Sequence, residues 1–223
     1  MLTRQVSELK TRLIEFATLV ENMIDKSVKG LMEKNQELLL QVMKEDEPKA
    51  NNYDREIDEM CTQFIAQFEP MAKDLRMVLM IMKMNKDLER MGDHAVNISE
   101  SGLFLTARPP LQPMKEVPVM AKNASSMLKD SITSFIKEDA ALAREVCERD
   151  NVVDDLGDKI LAEVTAFLKE EHDGVKRSLH LMRISHNLER IADLSTNICE
   201  EVIYITEGKD IKHKKGDDIS PSA

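Results

Sequence analysis

Apolar residues recur along this chain every three to four positions, the spacing of helices that bury one stripe and expose the rest. Prolines punctuate the pattern, because proline cannot extend a helix beyond its first turn. Pro48 and Pro70 divide the first hundred residues into three segments, and Pro109, Pro110, Pro113 and Pro118 form a stiff connection near mid-chain. The first segment, about 7–44, carries Leu13, Phe16, Val20, Met23, Ile24, Ser27, Leu31, Leu38 and Val42 near helical spacing. A second helix is predicted over 53–68 and a third over 71–104, the third apolar at Leu75, Val78, Leu79, Met82, Leu88, Met91 and Ala95.

Beyond the connection the pattern starts again, with helices predicted over 119–147, 151–170 and 174–205, and Gly174 marking the last break. LERMGDHAVNISE at 88–100 aligns without a gap to LERIADLSTNICE at 188–200. Seven of the thirteen positions recur (Leu, Glu, Arg, Asp, Asn, Ile and the final Glu), which identifies a duplication. Short connections make consecutive helices antiparallel. The fold expected is therefore all-α, two tandem three-helix, up-down-up bundles. The first repeat covers 1–106, a proline-rich linker 107–118, the second repeat 119–207 and a flexible polar tail 208–223.

Composition narrows the class of protein. Hydrophobic residues at 42% beside charged residues at 32% fit a globular chain, and with 4% aromatics, no Trp and 15 Met the core must rest on aliphatic and thioether side chains. The net charge of −10 argues against a nucleic-acid partner, which needs a basic face. The longest apolar run, 77–82, is far short of a membrane span, and MLTRQVSELKTR lacks the apolar centre of a signal peptide. Cys61, Cys147 and Cys199 form no CxxC and are expected as buried thiols of a reducing cytoplasm.

The chemistry concentrates in the repeated motif. Glu89 and Asp93 lie four residues apart, as do Glu189 and Asp193, so each pair shares a helical face that Asn97 and Asn197 extend by a turn. The second helices add Asp54 and Asp58 in the first half, Asp150 and Asp154 in the second. Four carboxylates on adjoining helices repel one another unless a cation intervenes. The stripe thus points to a metal site in each half, with an all-oxygen donor set suited to Mg²⁺, Mn²⁺, Ca²⁺ or iron. Arg90 and Arg190 offer the metal-free alternative, ion pairs across a helix or bundle. His94 has Leu194 as its counterpart in the repeat and reads as a polar or partly buried residue rather than a ligand, and His172, His180, His186 and His213 show no ligand spacing. No GxxxxGK[ST], GxGxxG, GxSxG or HExxH occurs, so no catalytic residue or organic cofactor is expected. Asp217 and Asp218, after Lys212, His213, Lys214 and Lys215, fall in the tail.

DLERMGDHAVNI and NLERIADLSTNI, with AKDLR at 72–76 and EGKDIKH at 207–213, resemble the PhoU family over nearly the whole chain. That resemblance implies a cytoplasmic, dimeric, non-enzymatic negative regulator of the bacterial phosphate-starvation response and of phosphate uptake. Its implied partners are the ATPase of the phosphate ABC transporter and a phosphate-sensing histidine kinase, with the membrane reached only through them. It also implies multinuclear metal, iron or zinc, or magnesium or manganese, on Glu89, Asp93, Asp54 and Asp58 and on Glu189, Asp193, Asp150 and Asp154. Two other classes stay open from the residues: a metal-dependent phosphohydrolase, with Arg76 or Lys176 gripping phosphate, and a structural dimer without metal.

Overall fold

A computed structural model of the chain describes residues 2–109, 111, 115–170 and 174–207. The tail and part of the linker, with Pro110, Pro113, His172 and His213, lie outside the described residues. All regular structure among the described residues is helical. The elements are α1 (Leu2–Met32), α2 (Gln36–Gln41), a π turn (Val42–Asp46), α3 (Glu47–Phe68), α4 (Ala72–Thr106), α5 (Val117–Lys137), α6 (Ala140–Glu170) and α7 (Val175–Glu207). Because α2, the π turn and α3 run on without a gap, each half consists of three rods.

The first two rods of each half meet earlier than the proline pattern suggested. Lys34 takes a left-handed conformation (φ 54°), and the Asn35 N–H donates back to the Gly30 carbonyl at 2.8 Å. The Asn35 side chain then accepts from the N–H groups of Glu37 and Leu38, capping the next helix. The second half repeats the device. Glu138 is left-handed (φ 52°), Asp139 N–H reaches the Ser134 carbonyl at 2.9 Å, and Asp139 Oδ1 caps Ala141 and Leu142. Each second rod is correspondingly longer than expected. Pro48 does not end a helix but sits in the first turn of α3. A proline ring conflicts with the carbonyl four residues back. That residue, Lys44, lies in the π turn, where the wider winding lets Glu47 N–H bond to the Val42 carbonyl. The restart after Asn35 also shifts the phase, so Leu39 rather than Leu38 is buried.

Helices α4 and α7 lie against each other at the centre, with α1 and α3 on the outer side of α4, α5 and α6 on that of α7, and α1 touching α5. Facing several neighbours, α4 buries Met77, Val78, Met80, Ile81, Met84, Leu88 and Met91, while Leu79, expected inside, is 45% exposed. Polar groups pin the seam between the halves. Lys83 Nζ lies 2.9 Å from both Glu201 carboxylate oxygens, and Arg183 donates to Asn97 at 2.5 Å and Glu100 at 2.8 Å. His94 Nδ1 is 2.7 Å from Asn187 Oδ1, and the Phe104 and His180 rings stack. No helix of the described residues is long and apolar enough to cross a membrane.

Candidate functional site

The repeated ExxxD motifs sit midway along α4 and α7, each facing the second rod of its own half. The duplicated register extends to that rod. Glu89 is raised above the ordinary carboxylate range by burial first, then by the charges of Asp93 and Asp54. Glu189 is likewise raised by burial and by Asp154 and Asp193, the neighbouring His186 acting in the opposite direction. Asp54 and Asp154 thus play the same part, each 35 residues before its glutamate. Carried one turn on, the register pairs Asp58 with Asp158 and sets Asp150 opposite Ala50. Asp158 is exposed on α6, and a constant offset of 100 residues between the halves is the signal that places it.

In the first half the acidic rod already holds a cation. Lys86 Nζ is 2.9 and 3.0 Å from the two carboxylate oxygens of Asp54, and 2.9 Å from Asp58 Oδ2. The buried Asn85 amide nitrogen donates to Asp54 Oδ1 at 2.8 Å, the Asp54 carbonyl at 2.9 Å and Asp58 Oδ1 at 3.2 Å. Burial works against the Lys86 charge, but the bonds to Asp58 and Asp54 outweigh it and its pKa stands above the usual lysine value.

The second half is built differently. Position 186 is histidine, its Nδ1 3.5 Å from Glu189, and the Ser185 hydroxyl turns to Met120 on α5. Gly157 stands where the first half has buried Ile57, and a Cβ there would lie only 1.9 Å from Glu189 Oε1. The missing side chain lets the Glu189 carboxylate settle against the α6 backbone. Arg190 takes Asp193 at 2.8 Å, whereas Arg90 turns to Asp87 at 3.9 Å.

Of the remaining residues in the stripe, Asn97 is engaged by Arg183 at the seam and Asn197 is exposed. Arg76 and Lys176 are exposed as well. The thiols are free, Cys61 and Cys199 buried and Cys147 partly so. Burial pushes Cys61 up to about 12. Contact with Cys147 and then burial push Cys199 higher still, a meeting of α6 and α7 that the sequence does not announce.

Among the described residues, no three His, Cys, Asp or Glu side chains stand ready-placed around one metal position. The second half comes nearer in chemistry. Its donors are oxygen-rich, and the charges of Asp154 and Asp193 reach Glu189 and raise its cost of ionisation. In the first half a metal would have to displace Lys86.

The PhoU domain model matches residues 13–102 and 117–202, one copy in each half. The chain is 38% identical over 213 residues to the phosphate-specific transport system accessory protein PhoU homolog of Aquifex aeolicus, covering 96% of both chains. It is 32% identical to homolog 2 of Thermotoga maritima, over 95% of this chain and 90% of the other. Its fold matches the crystal structure of PhoU from Pseudomonas aeruginosa with a TM-score of 0.90 at 29% identity, covering 94% of this chain and all of that one. The phosphate transport system regulatory protein PhoU of Streptococcus pneumoniae matches at 0.88 and 26% identity, over 95% and 99%.

Proposed function

This chain belongs to the PhoU family, and on that premise we propose that it is an accessory protein of phosphate-specific transport that restrains phosphate uptake and the phosphate-starvation response when phosphate is ample. It acts in the cytoplasm by binding, not by catalysis, holding the transporter's ATPase and the phosphate-sensing histidine kinase in their phosphate-replete states, and it works as a homodimer. The observation that carries this reading is the family match across both halves, together with near-complete coverage of relatives named for that system. The physical form agrees with it. Two bundles tied by the α4–α7 seam make a firm body suited to docking.

A divalent cation belongs to the same reading, held in the second half by Glu189, Asp193 and Asp154, with Asp150 one turn away on α6. When bound it would neutralise the crowded carboxylates and offer an open position to a partner's oxygen ligand. The protein's own part is to seat Glu189 against Gly157 and to keep Asp193 within reach of Arg190 until the ion arrives. Deleting the gene tests the regulatory reading: phosphate-responsive expression should switch on at high phosphate. Expression that stays repressed in the deletion strain overturns it.

A further inference from the structure

The two carboxylate clusters descend from one motif, yet their surroundings have diverged at the residues that matter for a cation. In the first, all four carboxylate oxygens of Asp54 and Asp58 lie within 3.2 Å of a side-chain nitrogen. Lys86 serves Asp54 Oδ1, Asp54 Oδ2 and Asp58 Oδ2, and Asn85 serves Asp54 Oδ1 and Asp58 Oδ1. The Asn85 orientation follows from its three neighbours, the Asp54 carbonyl and two carboxylate oxygens, all acceptors. An amide that presents nitrogen is itself no metal ligand, so Asn85 adds nothing to a donor set for an ion here. Its own Oδ1 is buried and finds no partner among the described residues, so the arrangement accepts an orphaned acceptor in order to keep the donor in place. Two adjacent side chains of α4 therefore supply the aspartates with what an ion would supply. In the second half, serine and histidine stand at these two positions and the serine faces away.

We propose that Lys86 is a resident cation that takes the place of a metal in the first cluster, so that the two halves of this chain are unequal and the first binds no divalent ion. The ammonium is delivered on a flexible stem from α4 to α3 and is half exposed, so it neutralises the aspartates without coordinating them. Glu89, one turn along α4 from Lys86, feels that ammonium beside the charges of Asp93 and Asp54. This goes with the cation reading of the second half but does not need it.

The test uses the full chain, stripped with a chelator and equilibrated with Mn²⁺ alone, with bound metal counted by elemental analysis and the free ion by electron paramagnetic resonance. Wild type and Asp54→Asn/Asp58→Asn should take up the same amount. Lys86→Met should gain about one further Mn²⁺ per chain, lost again when Asp54→Asn/Asp58→Asn is added, while Lys86→Arg should gain none. A fall in wild-type uptake on Asp54→Asn/Asp58→Asn overturns the proposal, as does a folded Lys86→Met that gains nothing. If Lys86→Met is unfolded without metal, recovery of helical circular dichroism on adding Mn²⁺ supports the proposal. If it is unfolded with metal as well, the comparison of wild type with Asp54→Asn/Asp58→Asn decides. Glu189→Ala separately tests the second half, so failure of that reading and failure of this one give different results.

Discussion

Gly157→Ala separates the stability of α6 from the placing of Glu189. Glycine within a helix costs about 0.8–1 kcal/mol relative to alanine, so on propensity alone the substitution stabilises. The obstacle is a Cβ that would stand 1.9 Å from Glu189 Oε1 and 3.0 Å from its Cδ. Both atoms are at the free end of a side chain that is 31% exposed, so the carboxylate can swing into water. Leaving also relieves the burial and the like charges of Asp154 and Asp193 that raise its pKa. The expected net effect in chelated buffer at about pH 7 is a gain near 1 kcal/mol, or about 2–4 °C in Tm for a chain of this size. Thermal unfolding followed by circular dichroism measures it. The same variant should bind Mn²⁺ at the second cluster on the order of tenfold or more weakly, since a displaced ligand disrupts a site at least as much as a lost supporting bond. A Tm lowered by several degrees would refute the claim that the carboxylate is free to move. Unchanged Mn²⁺ uptake would show that its seat against α6 is no part of the cation site.

Other consequences are open to similar measurement. A glutamate raised in the folded state costs stability once it ionises, so the penalty is absent below its unfolded pKa and grows as pH rises through the folded one. Metal-free Glu189→Gln should therefore melt above wild type near pH 7 and converge with it near about pH 4, and melting curves that stay parallel across that range would contradict the shift. Asp46, 2% exposed, is held by Lys26 at 2.6 Å and Lys49 at 3.3 Å. Lys26→Met should cost about 1–3 kcal/mol, visible as a lowered denaturation midpoint. With Cys61 and Cys199 buried and raised, a thiol reagent at neutral pH should modify the native protein slowly at these two residues and rapidly once guanidinium unfolds it. Rapid native labelling of Cys61 would be inconsistent with its packing.

The duplication was legible because its signal is identity of residues at a fixed spacing, which needs no tertiary context. Helix type was legible for a similar reason, as apolar periodicity records which face is buried. Boundaries were harder to read. Pro48 looks like a terminator, yet a π turn absorbs its conflict with Lys44, while the real breaks at Lys34–Asn35 and Glu138–Asp139 depend on left-handed residues that are not glycine. The carboxylates of α4 and α7 were found from i,i+4 spacing alone. Their counterparts on α3 and α6 depend on inter-helix register, and that register makes Asp54, not Asp58, the equivalent of Asp154. The parts of Lys86 and Gly157 were invisible for the same reason. Each acts across the gap to the neighbouring helix, Lys86 by reaching and Gly157 by leaving room.

Restraint of phosphate transport by direct binding is the proposal on which the other functional readings depend. Affinity capture of a tagged chain that complements the deletion, from cells grown with ample phosphate, tests it most directly. The phosphate transporter's ATPase or the phosphate-sensing histidine kinase should be recovered, and in smaller amount when the cells are starved of phosphate. Absence of both from the captured material, with the tagged chain active, would contradict it.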